Sequence, residues 1–144
     1  MNNKKKIIIG SCCGIVLVIL SIAIVNFGHG TKYEKIARKL AERHLEQDVN
    51  EYGVKASKLK YLSTFYNKTS DLYRVSYYAK FNEVNEKGNM WVLEEIIISG
   101  ETSKVEISYS NGYGPEFNES DVIADGHPRE KTVEDEDGIW KKVN

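Results

Sequence analysis

Cysteine, proline and histidine are nearly missing from this chain. Its 144 residues include two cysteines, two prolines and three histidines. Both cysteines, Cys12 and Cys13, lie inside one apolar run. The water-facing remainder therefore has no disulfide framework, no thiol chemistry and no cysteine-based zinc site. Adjacent cysteines also make a poor disulfide pair, which leaves small packing residues in a helix or lipid attachment at a membrane as their readings. His29, His44 and His127 are scattered. His44 with Asp48, one helical turn on, is half a metal site at most, against the plainer reading of a boundary histidine with a carboxylate partner. No glycine-rich phosphate loop or nucleophile elbow occurs. The net charge is −1, so no global field favours nucleic acid.

What the chain does have is a run from Ile7 to Phe27 without one charged side chain. As a helix it is about 31 Å long, the thickness of a bilayer's hydrocarbon core. In lipid a single segment satisfies its backbone only as a helix. Lys4, Lys5 and Lys6 precede it, giving the basic leader and apolar run of an export signal. Ser21-Ile22-Ala23 offers small residues for cleavage, but the run continues through Ile24 and Val25, so a retained anchor is expected. Lys32, Lys35, Arg38, Lys39 and Arg43 flank the other end, and a bare count of basic residues sets no orientation. The export pattern places the following domain outside.

Gly28-His29-Gly30 is a flexible break, and Thr31 with Glu34 reads as a capping box. Tyr33, Ile36, Ala37, Leu40, Ala41, Leu45, Val49 and Tyr52 then recur at helical spacing, with Lys35, Arg38, Lys39, Glu42, Arg43 and Glu46 on the wet side. Gly53 supplies the stop. From there the period becomes two. Strands are predicted over Leu59–Tyr66, Leu72–Phe81, Met90–Ile98 and Lys104–Tyr109, joined by connections too short for crossovers. The expectation is α+β: one amphipathic helix on a four-stranded antiparallel meander, with most of the second sheet face polar and wet. After Pro115 the pattern dissolves into an irregular, acidic, partly ordered tail.

Glu94 and Glu95 are the most unusual pair. Adjacent strand residues point to opposite faces, so one points at the helix layer and needs a cationic partner or a raised pKa. Facing apart, they make no acid–base pair across one bond. Asp135-Glu136-Asp137-Gly138 resembles part of a calcium loop, but Val133 stands where a ligand is needed, and a solvated acidic run is the expected reading. Tyr61, Tyr73, Tyr77 and Tyr109 read as core filling, while Tyr66, Tyr78 and Tyr113 are candidate contact residues for a partner protein or a wall glycan.

The basic leader, the apolar span, Tyr33-Glu-Lys-Ile-Ala-Arg-Lys-Leu-Ala-Glu-Arg-His-Leu45, Tyr52-Gly53-Val54 and Tyr73-Arg-Val-Ser-Tyr77 together resemble small membrane-anchored or secreted proteins of Gram-positive bacteria with a cystatin-like domain. The resemblance is architectural and covers Lys4 to Tyr109. It implies a helix cradled by an antiparallel sheet, and it brings no catalytic residue. The Gln-x-Val-x-Gly string of protease-inhibiting cystatins is absent, so inhibition of that kind is not implied. The domain plan is then a basic segment (1–6), a transmembrane signal-anchor (7–27), a linker (28–31), a cystatin-like α+β domain (32–115) and an acidic tail (116–144). The expected role is a single-pass, extracytoplasmic interaction or accessory domain with a protein partner at the cell surface. Neither catalysis, cofactor, metal, nucleic acid nor small-molecule substrate is called for. The alternatives are a pilin-like subunit and a cleaved, secreted binding protein. Against the pilin, Gly10 lacks the Glu five residues on that pilin processing resembles, and Gly28–Gly30 breaks the continuous helix.

Overall fold

Gly53 stops the first helix where the periodicity says it should, at φ +64°, a left-handed position that suits glycine. The computed structural model describes residues 32–126 and 130–143. Helix α1 occupies residues 32–52. Tyr33, Ala37, Ala41 and Leu45, four residues apart, are its buried line. Two alanines in that line let the helix come close to the sheet, and Val75, Tyr77, Ile96 and Ile98 fill the space around them. The Tyr33 ring stacks on Tyr73 at 3.9 Å, and its hydroxyl donates to the Gly100 carbonyl at 2.9 Å. Tyr77 donates back to the Glu34 carbonyl at 2.9 Å. The apolar run Ile7–Phe27, Thr31, His29 and His127 lie outside the described residues, and no described helix is long and apolar enough to cross a membrane.

Strands β1 (Lys60–Asn67), β2 (Leu72–Lys80), β3 (Trp91–Ser99) and β4 (Val105–Tyr113) form the antiparallel meander. Two corrections follow. The sheet has six strands in the order β4-β3-β2-β1-β6-β5, not four. The stretch after Pro115 is not an irregular tail: it forms helix α2 (Glu119–Gly126) and the hairpin β5 (Thr132–Asp135) and β6 (Gly138–Lys142). After β4 the chain must return across the sheet to reach the free side of β1, and α2 covers the second face on the way. There β6 pairs with β1 through Phe65↔Lys142, Tyr66↔Lys141 and Asn67↔Trp140.

The second face is accordingly apolar and covered, not polar and wet. Val122 packs against Tyr78, Trp91 and Leu93, while Trp140 packs against Phe65 and Ile97. Strand β3, read Trp-Val-Leu-Glu-Glu-Ile-Ile-Ile, lacks alternation because both its faces are covered. A bulge between Tyr61 and Ser63 turns Leu62 and Ser63 toward α2 together. Ser63 Oγ donates to the Gly126 carbonyl at 2.6 Å, and Gly126 lies so flat on the sheet that a Cβ there would overlap Leu62 and Leu93. Asn67, fully buried, accepts from the Thr69 and Ser70 amides and donates to the Asp137 carbonyl. One side chain therefore pins the β1–β2 turn to the β5–β6 turn.

Two tyrosines expected in the core are at the surface: Tyr61 is 45 % exposed and Tyr109 48 % exposed. Tyr61 still meets the Tyr77 ring edge-on. Tyr109 stands on β4, the edge strand, beyond the cover that α2 provides.

Candidate functional site

Glu94 and Glu95 do point to opposite faces, and the two carboxylates live differently. Glu94 is fully buried under α1. Its Oε2 lies 2.9 Å from His44 Nδ1 and its Oε1 accepts from Ser110 Oγ at 2.6 Å. Burial lifts its pKa, and the contacts to Ser110 and His44 hold it back. His44 is thus a boundary histidine with a carboxylate partner. That partner is Glu94, fifty residues away, not Asp48. Sequence spacing holds no signal for this pairing; it exists only once α1 lies across β3.

The arrangement Ser110–Glu94–His44 has the residue types of a nucleophilic triad in the wrong order. Activation needs the imidazole between hydroxyl and acid, so that the base takes the hydroxyl proton. Here the carboxylate stands in the middle and the Ser110 proton points at Glu94. The serine is held as a donor. Its contribution is structural, tying α1, β3 and β4 together through one buried group.

Glu95, on the other face, makes no hydrogen bond among the described residues. Burial is the main cause of its raised pKa, with Asp125 adding to it and Arg74 opposing. It borders a cavity of about 20 Å³ shared with Arg74, Ser76, Asp125 and Gly126. That is room for one water. Arg74 itself is committed elsewhere, to Asp135 at 2.6 Å and to the Trp140 ring at 4.2 Å.

Beside the Glu94 network opens a polar cleft of about 300 Å³. The last turns of α1 contribute Asp48 and Tyr52, the β2–β3 turn contributes Asn85, Lys87 and Asn89, and β4 contributes Ser110. Asn85 Oδ1 accepts from the Lys87 and Asn89 amides at 3.0 Å each and so shapes that turn. Lys87 Nζ sits 5.2 Å from the Tyr52 ring centre. Asn89 lies against Gly112, where a Cβ would overlap its amide. Asp48 has no hydrogen bond or ion pair among the described residues. Burial raises its pKa against the opposing field of Lys87.

Of the tyrosines singled out as contact residues, Tyr78 is buried, with its hydroxyl on Glu119 at 2.7 Å under α2. Tyr66 and Tyr113 are half-buried, their hydroxyls bound to Asp71 and Asp125 at 3.0 and 2.8 Å. The structure does not bring the three together. Of the exposed large apolar residues, Val105, Ile107 and Tyr109 stand together on β4 with Phe117 beyond, while Tyr61, Val84 and Ile139 stand elsewhere. Asp135 to Gly138 forms the tight β5–β6 turn: Asp135 pairs with Gly138 and accepts from the Asp137 amide and the Trp140 indole. Among the described residues no group of three or more histidine, cysteine, aspartate or glutamate side chains is placed to hold a metal ion.

No protein-family model, curated protein or solved structure matches this chain.

Proposed function

We propose that the chain is a single-pass, membrane-anchored extracytoplasmic interaction or accessory domain of the Gram-positive type, with no catalytic role of its own. The observation that carries the reading is the outer edge of β4. It ends the sheet, and it exposes Val105, Ile107 and Tyr109. Natural sheets blunt such edges with charge, proline or bulges. On β4 the one charge, Glu106, and the bulge stand together at its start, and Ile107–Tyr113 carries neither charge nor proline. An edge of that kind adds a strand from a partner, whose backbone supplies affinity and whose alternate side chains supply selectivity. The ordering of Ser110, Glu94 and His44 supports the non-catalytic half of the reading. The charge-free run Ile7–Phe27 supports the anchor.

The test has two parts. Membranes washed with alkaline carbonate should retain the full-length chain, and protease added outside intact cells should degrade residues 32–143. Recovery in the soluble fraction after washing sinks the anchor. In crosslinking from intact cells, the wild type should give one discrete adduct that Ile107→Lys/Tyr109→Lys loses while its unfolding midpoint stays put. An adduct indifferent to both substitutions sinks the edge as the interaction surface.

A further inference from the structure

The polar cleft beside Glu94 takes Ser110 and Gly112 from β4 but opens on the α1 face, and its reading stands or falls without the anchor. Its volume of about 300 Å³ is at the small end of the range for ligand pockets, about 300–1,000 Å³. Its charges come from two sides. Asp48 on α1 and Lys87 on the β2–β3 turn oppose one another, so the cleft presents little net field to an ion of either sign. Glu94 beneath it is engaged by His44 and Ser110, and Glu51 lies on the exposed side of α1. What remains is a carboxylate without a donor, the side-chain amide of Asn89, and the ring of Tyr52 beneath the exposed Lys87. A carboxylate in want of donors suits paired hydroxyls. Amides, which donate and accept at once, suit hydroxyl or acetamido groups. An aromatic wall suits the C–H face of a pyranose ring.

We propose that this cleft binds a neutral saccharide unit, with Asp48 accepting from its hydroxyls, Asn89 pairing with its polar substituents, and Tyr52 stacking on its ring in place of Lys87. Lys87 Nζ lies over that ring at 5.2 Å and, being on an exposed residue, gives way to the sugar. A site this small takes one sugar residue, so affinity for a monosaccharide is millimolar, within reach of direct titration.

The experiment is a ¹H–¹⁵N titration of the full-length chain in a zwitterionic detergent that carries no sugar headgroup. The probes are glucose, N-acetylglucosamine and its β-1,4-linked trimer, with alanine as a zwitterion and methylammonium as a cation. Expected are saturable shifts of the amides from Asn85 to Asn89 and from Ser110 to Gly112 with at least one sugar. Asp48→Asn should weaken that binding about tenfold, the fold-change of losing one charged hydrogen-bond acceptor. Tyr52→Leu should weaken it by a further, smaller factor. Unfolding midpoints measured on both variants separate lost binding from lost fold. Should either variant be unfolded, Lys87→Ala on the exposed rim takes its place and should tighten sugar binding by uncovering Tyr52, an affinity equal to the wild type's overturning the inference. The inference is overturned if no sugar gives saturable shifts, if the shifts fall outside the cleft, if alanine or methylammonium binds in preference, or if Asp48→Asn binds sugar as the wild type does.

Discussion

The two faces of the sheet are covered in opposite ways. On one, a single helix with a regular apolar stripe packs on β2 and β3 and encloses one carboxylate, Glu94, fixed by two direct partners. On the other, a helix of eight residues and a short hairpin cover two separate apolar patches, leaving Glu95 beside a water-sized cavity. The first cover is periodic and continuous. The second is made by isolated anchors, chiefly Val122 and Trp140, so its stability rests on few side chains.

Trp140→Ala should sharpen that contrast most. The indole is fully buried against Phe65 and Ile97, lies under Arg74 and donates to Asp135. Its loss should cost about 3–5 kcal/mol in urea unfolding. A cost under about 1 kcal/mol would mean that the hairpin is only loosely attached. On the other face, His44→Ala leaves Glu94 buried with Ser110 alone, and about 3 kcal/mol should be lost. Glu94→Gln, which keeps the shape and the hydrogen bonds but not the charge, should stay within about 1 kcal/mol of wild type. Equal costs for the two substitutions would refute the idea that uncompensated charge, not geometry, is what His44 relieves.

These contrasts also explain what could be read from sequence. Helix α1 was legible to its last residue because burial repeats every four positions and Gly53 ends it. Strands β1 to β3 were legible to within a residue or two of each end; β4 runs four residues past its predicted close at Tyr109. The second cover was not, because α2 and the hairpin have no sustained period. Yet a signal existed: Asp137-Gly138 between Val133 and Trp140 is a hairpin-turn dipeptide with apolar flanks. The unbroken apolar character of β3 was a second one, since a strand wet on one face alternates. Tyr109 was misjudged because alternation gives a side chain its face but not whether its strand is central or at the edge. The Glu94–His44 pair and the cleft depend on how α1 crosses the sheet, which no local pattern encodes.

Smaller effects test finer points. Gly126→Ala should cost about 1–3 kcal/mol, since its methyl group would press on Leu62 and Leu93. A neutral result would show that α2 floats above the sheet. The pH dependence should be smallest and unusual in sign. Burial raises the folded-state pKa of Asp48, Glu94 and Glu95. Raised values mean the folded chain binds those protons more tightly than the unfolded one. Their contribution is therefore fully present below the ordinary carboxylate range of about 4 and is lost as pH rises through the raised values. Glu119 and Asp135 are shifted down and act the other way, losing their contribution only in stronger acid. The unfolding midpoint should thus rise modestly from neutral pH into mild acid. Glu94→Gln with Glu95→Gln should flatten that rise; a midpoint that falls steadily from pH 7 would contradict the assignment.

The pairing of β6 with β1, clasped by Asn67, has a consequence in time. The centre of the sheet borders a strand that ends at Lys142. A ribosome must therefore pass Trp140 before Phe65 and Ile97 find their lid. Until then the nascent meander carries a bare greasy patch, and a stop codon ahead of Thr132 would leave that patch open for the life of the molecule.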